Sequence, residues 1–147
     1  MEKKKKSKAP LPTEKELIKQ IFGDKPERTD CEGMRIYISL PISDYDINER
    51  KERAQVIYDK LKELFPGCKV FNPLCFVEEI REGKHPGYSA DNLPSWEWFM
   101  AKDIRYLYHS THIYFDHGWD ESRGCTLEHA IVEDLNGKVI TLPMLFD

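Results

Sequence analysis

The chain is predicted to be an α/β protein, with a small, mostly parallel sheet and helices on both of its faces. Three observations predict it. Short β-like runs alternate with segments whose apolar residues recur at helical spacing. The first run, Met34–Leu40, holds Ile36, Tyr37 and Ile38 in succession, an unbroken apolar stretch that suits a strand covered on both faces. The helical segments end in stop signals, Pro66-Gly67 and Asn136-Gly137. Strands separated by helices make a layered sheet, and right-handed crossovers put every strand's C-terminal end on one edge.

The elements follow in order. Met1–Pro12 is rich in lysine and proline, and residues 1–33 are read as a flexible, Lys-rich extension. Within it, Thr13 and Glu16 have capping-box spacing ahead of Leu17, Ile21 and Phe22, which predicts the start of one short helix. The folded domain is placed at residues 34–147. After the first strand, Asp44–Phe65 carries Ala54, Ile57, Tyr58, Leu61, Leu64 and Phe65 on one helical face. Lys69–Asn72 is the second strand, stopped by Pro73. Phe76–Glu82 forms one or two helical turns and Gly83–Leu93 a loop. Ser95 caps a helix running to His109. Thr111–Phe115 is the third strand, Thr126–Leu135 the last helix and Lys138–Leu142 the fourth strand.

Composition narrows the function. The chain has 147 residues, enough for one domain with a real core, and 40% hydrophobic content fits a globular protein. A formal net charge of -4 offers no global case for nucleic-acid binding. The basic run Lys3–Lys6 with Lys8 reads as a solvated tail, or as a contact for nucleic acid or an acidic partner. Four cysteines form no CxxC pair, and the five histidines show no HxxxH or HxH spacing, so no metal and no cofactor is expected. The P-loop and dinucleotide fingerprints are both missing from the sequence. No apolar run is long enough to span a bilayer, and the expected location is the cytoplasm with reduced thiols.

The most informative stretch is Asp116–Glu128, between the third strand and the last helix. A glycine-containing strand-to-helix loop exposes backbone N–H groups that favour anions, and Glu128 follows one turn in. In open α/β sheets ligands bind at the strands' C-terminal edge. Three loops meet there: Ser39–Asp46, Asn72–Leu74 and Asp116–Gly124. Glu128 is then either a helix-start carboxylate on a solvated face or a nucleophile or acid/base in a cleft. Asp103 is either a surface aspartate balanced by Lys102 and Arg105 or a buried group that meets a base edge or shares a proton with Glu128. Ser122 and Gly124 fit a phosphate, a sugar hydroxyl or a helix cap, and Arg123 a phosphate or water. Tyr37, Trp96, Trp98 and Trp119 are either core or stacking surfaces for a base.

Four stretches resemble the nucleoside 2-deoxyribosyltransferase superfamily, and in particular its DUF4406 branch. They are Met34–Pro41, Val70–Pro73, Trp98–Ile104 and Gly118–Ala130, the last being the most specific. The resemblance implies a Rossmann-like or flavodoxin-like three-layer fold and covalent chemistry on a 2'-deoxynucleoside or its 5'-monophosphate. It implies Glu128 as nucleophile at C1', Asp103 at the base or its departing proton, and Tyr37 as the group that positions Glu128. Ser39, Ser122, Arg123, Gly124 and Trp119 form the expected substrate-binding set. Ser122 stands where the transferases have a sugar-binding aspartate, and where the related monophosphate N-glycosidases have a phosphate-binding serine. The usual Gly-rich or Arg-containing turn after the first strand is replaced by Leu40-Pro41-Ile42-Ser43. A homodimer or higher homo-oligomer is expected by family habit. The alternative expectation is a non-catalytic nucleotide-binding or sensing domain.

Overall fold

The computed structural model describes residues 31–146, together with Thr13 and Glu16. The N-terminal extension otherwise lies outside the described residues; Glu16 N–H does donate to Thr13 Oγ1 at 3.1 Å, the expected capping contact.

The fold is α/β, with a four-stranded sheet in the order β2-β1-β3-β4. Strands β1 (Arg35–Ser39), β2 (Lys69–Phe71), β3 (His112–Phe115) and β4 (Ile140–Thr141) all pair in parallel. The connections are α1 (Ile47–Leu64), then α2 (Cys75–Arg81) and α3 (Trp96–Tyr108), then α4 (Arg123–Asp134) behind a 3-10 turn at Trp119–Glu121. The strand order reverses direction between β1 and β3. Such a reversal opens a crevice between the two loops that leave those strands.

Two core clusters sandwich the sheet, and side-chain alternation along β1 assigns its residues between them. Ile36 and Ile38 meet Ala54, Ile57, Leu61 and Leu64 of α1. Tyr37 faces the other way, against Ile113, Phe115, Leu107 of α3 and Val132 of α4. Ser39 follows Tyr37 by two residues and shares its face, so both hydroxyls point to the α3–α4 layer. That sets up the site.

Local signals explain the boundaries. The Asp46 carboxylate accepts from the N–H groups of Asn48 and Glu49, so α1 starts at Ile47 rather than Asp44, which holds φ 70° in the loop. Helix α1 stops at Phe65, and Gly67 (φ 88°) supplies the left-handed turn into β2. Ser95 caps α3 as expected, accepting from Trp98 N–H at 3.2 Å. Helix α4 begins at Arg123, earlier than the expected Thr126, because Ser122 is its cap and accepts from Cys125 N–H at 3.3 Å. Strand β4 is shorter than expected, pairing only Ile140 and Thr141 with β3. No described helix is long and apolar enough to cross a membrane.

Candidate functional site

The sheet edge at the C-terminal ends of β1 and β3 carries a cavity of about 260 Å³. All three expected loops reach it, through Ile42 and Ser43, through Pro73 and Leu74, and through Ser122 and Gly124. Helices α3 and α4 add Asp103 and Glu128.

Glu128 is only 4% exposed, which rules out the solvated-face reading. Helical spacing turns it inward with Cys125, three residues earlier. Ser39 Oγ donates to Glu128 Oε1 at 2.7 Å, and the Tyr37 hydroxyl donates to Oε2. Each carboxylate oxygen thus holds one donor from β1. Burial pushes the Glu128 carboxyl up to about 7, and the bonds from Tyr37 and Ser39 oppose that rise. The Tyr37 phenol is held well above its usual range by burial and then by the Glu128 charge, so it stays protonated and donating.

Asp103 is 8% exposed, and the surface reading fails for it as well. Its Oδ1 is buried without a hydrogen-bond partner. Burial, followed by the Glu128 charge, raises its carboxyl to about 8. The two acids therefore share one cavity in unequal surroundings. Glu128 has two donors that favour its charge, and Asp103 lacks a donor at Oδ1. The two donors on Glu128 bias the charge toward it and the shared proton toward Asp103.

The remaining expected residues divide by position. Ser122 lines the cavity while capping α4. Gly124 lines it as well, and a Cβ there would stand 3.3 Å from Met100 Sδ, so glycine lets the first turn of α4 lie close to α3. Arg123 lies on a wider outer groove that shares Ser43, Trp96 and Ser122 with the cavity, and its guanidinium covers the Trp96 ring at 3.7 Å. Ser39 and Tyr37 are fully buried behind Glu128 and act through it. Trp119 packs on Phe115 and His129, with centroids 5.0 and 4.6 Å away, and Trp98 joins an aromatic cluster with Phe76, His85 and Tyr88; neither lines the cavity.

The site also includes residues that sequence reasoning missed. Cys125 lines the cavity, and burial pushes its thiol up to about 11, so it remains a neutral thiol. Its three-residue spacing from Glu128 was the available signal. Asp116 is 1% exposed and receives a two-pronged bond from Arg53 of α1, at 2.8 and 2.9 Å, while its N–H donates to Ser39 O at 2.9 Å. It ties the end of β3 to β1 and α1. A contact between residues so far apart in sequence leaves no local signal.

This architecture coincides with a sequence match. The family profile described as "Domain of unknown function (DUF4406)" matches residues 34–141, the segment from the start of β1 through β4. The chain belongs to the DUF4406 family. The matched segment contains the entire carboxylate pair with its donors, so the cavity is part of the DUF4406 domain itself. No curated protein and no solved structure matches the chain.

Proposed function

We propose that this DUF4406 domain cleaves or exchanges the N-glycosidic bond of a 2'-deoxynucleoside or its 5'-monophosphate. The observation that carries the proposal is the unequal pair of buried carboxyls facing one cavity. In the first step an oxygen of the Glu128 carboxylate bonds to C1' and the bond from C1' to the base nitrogen breaks. The base leaves with that electron pair and takes the Asp103 proton. In the second step a water, or an acceptor base in a transfer, gives its proton back to Asp103 and bonds to C1', and Glu128 departs as carboxylate. Tyr37 and Ser39 position Glu128 and moderate its charge.

Orientation follows from the lining. Among the described residues, no lysine, arginine or histidine lines the inner cavity, and two acids do. A phosphate therefore belongs at the mouth, where the N-terminus of α4, Ser122 and Arg123 meet. The deoxyribose and the phosphate rest on the resemblance of Gly118–Ala130 to the deoxyribosyltransferase superfamily. The same resemblance makes the working unit a homo-oligomer, which analytical ultracentrifugation measures.

The test is free-base release from deoxynucleosides and their monophosphates, followed by chromatography, for the wild type and Glu128→Gln. Release by the wild type that is lost in the variant, with nucleotide binding retained, is expected. Equal release by both proteins overturns the mechanism. Tight binding with no release by the wild type points instead to a nucleotide sensor.

A further inference from the structure

Much of the cavity lining contributed from outside α3 and α4 is aliphatic. Ile42, Ile47, Leu74 and Val77 belong to it, and all four are part of or pack against the core cluster on the α1 side of the sheet. Leu93 adds a fifth apolar side chain, and Ser43 adds a hydroxyl. The acids come from α3 and α4, so they and this largely dry wall are supplied by different segments. Resting on the reading above, with C1' at Glu128 and the near edge of the base at Asp103, the far edge of the base meets this dry wall. An ordinary base edge carries N–H and C=O groups, and side chains such as Ile47, Leu74 and Val77 hold nothing to pair with them. Stripping such groups of water without a partner weakens binding.

We propose that the base subsite selects a nucleobase whose far edge carries a small alkyl group, such as a 5-alkylpyrimidine or an N-alkylated purine, over the unsubstituted base. The alkyl group fills the space along Val77 and Leu74 and gains the burial that a polar edge forfeits. Asp103, which lines the cavity, remains the acid for the near edge. The wall thus sets specificity and the acid pair sets chemistry, from different segments lining one cavity.

Calorimetry on Glu128→Gln, which holds ligands without consuming them, reads this directly. The probes are dUMP, dTMP, 5-ethyl-dUMP and 5-hydroxymethyl-dUMP, with dAMP and N6-methyl-dAMP as the purine pair. Within whichever ring series binds, affinity rises about fourfold per added carbon, the worth of one buried methylene. The hydroxymethyl compound binds about tenfold weaker than the ethyl one, because its hydroxyl meets the dry wall. Val77→Thr, close in volume, flattens the ethyl-over-hydroxymethyl preference. Nucleotides that bind with a flat or falling alkyl series, or a series unchanged by Val77→Thr, overturn the alkyl assignment and leave the deoxynucleotide reading standing. Failure of every nucleotide to bind, to this variant and to the wild type alike, overturns both.

Discussion

Tyr37→Phe isolates the hydrogen bond that distinguishes the two acids. The ring stays, stacked on Phe71 with centroids 5.1 Å apart, so packing changes little. What is lost is the donor to Glu128 Oε2, leaving Ser39 at 2.7 Å as the donor to the other oxygen. A hydrogen bond to a charged group is worth about 1.5–3 kcal/mol, or about one to two pH units. The Glu128 carboxyl, at about 7 in the wild type, moves up by that amount and passes the Asp103 value of about 8. Loss of the donor shifts the balance between the productive arrangement, with Glu128 charged and Asp103 protonated, and its reverse by about tenfold to a hundredfold toward the reverse. Activity at pH 7 should drop by up to that factor, with the acid limb of the kcat/KM profile moved to higher pH and no full recovery at any pH. The assay is base release from pH 5 to 10, paired with carbon-13 NMR titration of the side-chain carboxyls, which needs no substrate. An acid limb and a carboxyl titration that stay where the wild type has them refute the assignment of Tyr37.

Further outcomes follow from the same geometry. Asp103 is raised from 3.8 to about 8 on folding, so its contribution to stability is present below about pH 4 and is lost as the pH climbs through 8. Asp103→Asn should therefore gain thermal stability relative to the wild type between pH 5 and pH 9, measured as the change in Tm difference; a pH-independent difference contradicts its buried charge. Ser122→Ala removes a cap worth about 1 kcal/mol in urea unfolding and should also erase any preference for a monophosphate over its nucleoside. Loss of stability alone would confine Ser122 to capping. Asp116→Ala should cost about 2–3 kcal/mol, below the value for a wholly buried ion pair because Arg53 keeps 25% exposure, and should raise KM by loosening the β1–β3 edge. Gly118→Ala should cost about 1–2 kcal/mol, since φ 81° is strained for any side chain.

Much of the fold was legible locally. Ile36, Tyr37 and Ile38 marked β1 as a two-faced strand, Ser95 marked the start of α3, and alternation of strands with helices foretold a layered parallel sheet. Boundaries drifted where one residue served two signals: Ser122 and Gly124 read as loop, yet Ser122 caps α4 and Gly124 lies inside its first turn. The site was legible as a set of residues and illegible as an arrangement. Burial of Glu128 and Asp103 could not be read from their neighbours, because Lys102 and Arg105 flank Asp103 in sequence while its carboxyl turns into the cavity. The placement of Trp119 was equally hidden, since stacking on His129 depends on how the 3-10 turn folds back on α4.

The sequence by itself determined which residues could act: an α/β order, a strand-to-helix loop holding Ser122 and Gly124, and a glutamate at the start of the helix that follows. Those properties are set by spacing and turn residues within a short stretch of chain. Only the tertiary structure decided the chemistry available to them. It placed two β1 hydroxyls on Glu128 and left Asp103 Oδ1 without a donor, in a cavity with one dry wall. The carboxyls differ because burial and donors are distributed by packing between distant segments, which no local pattern records.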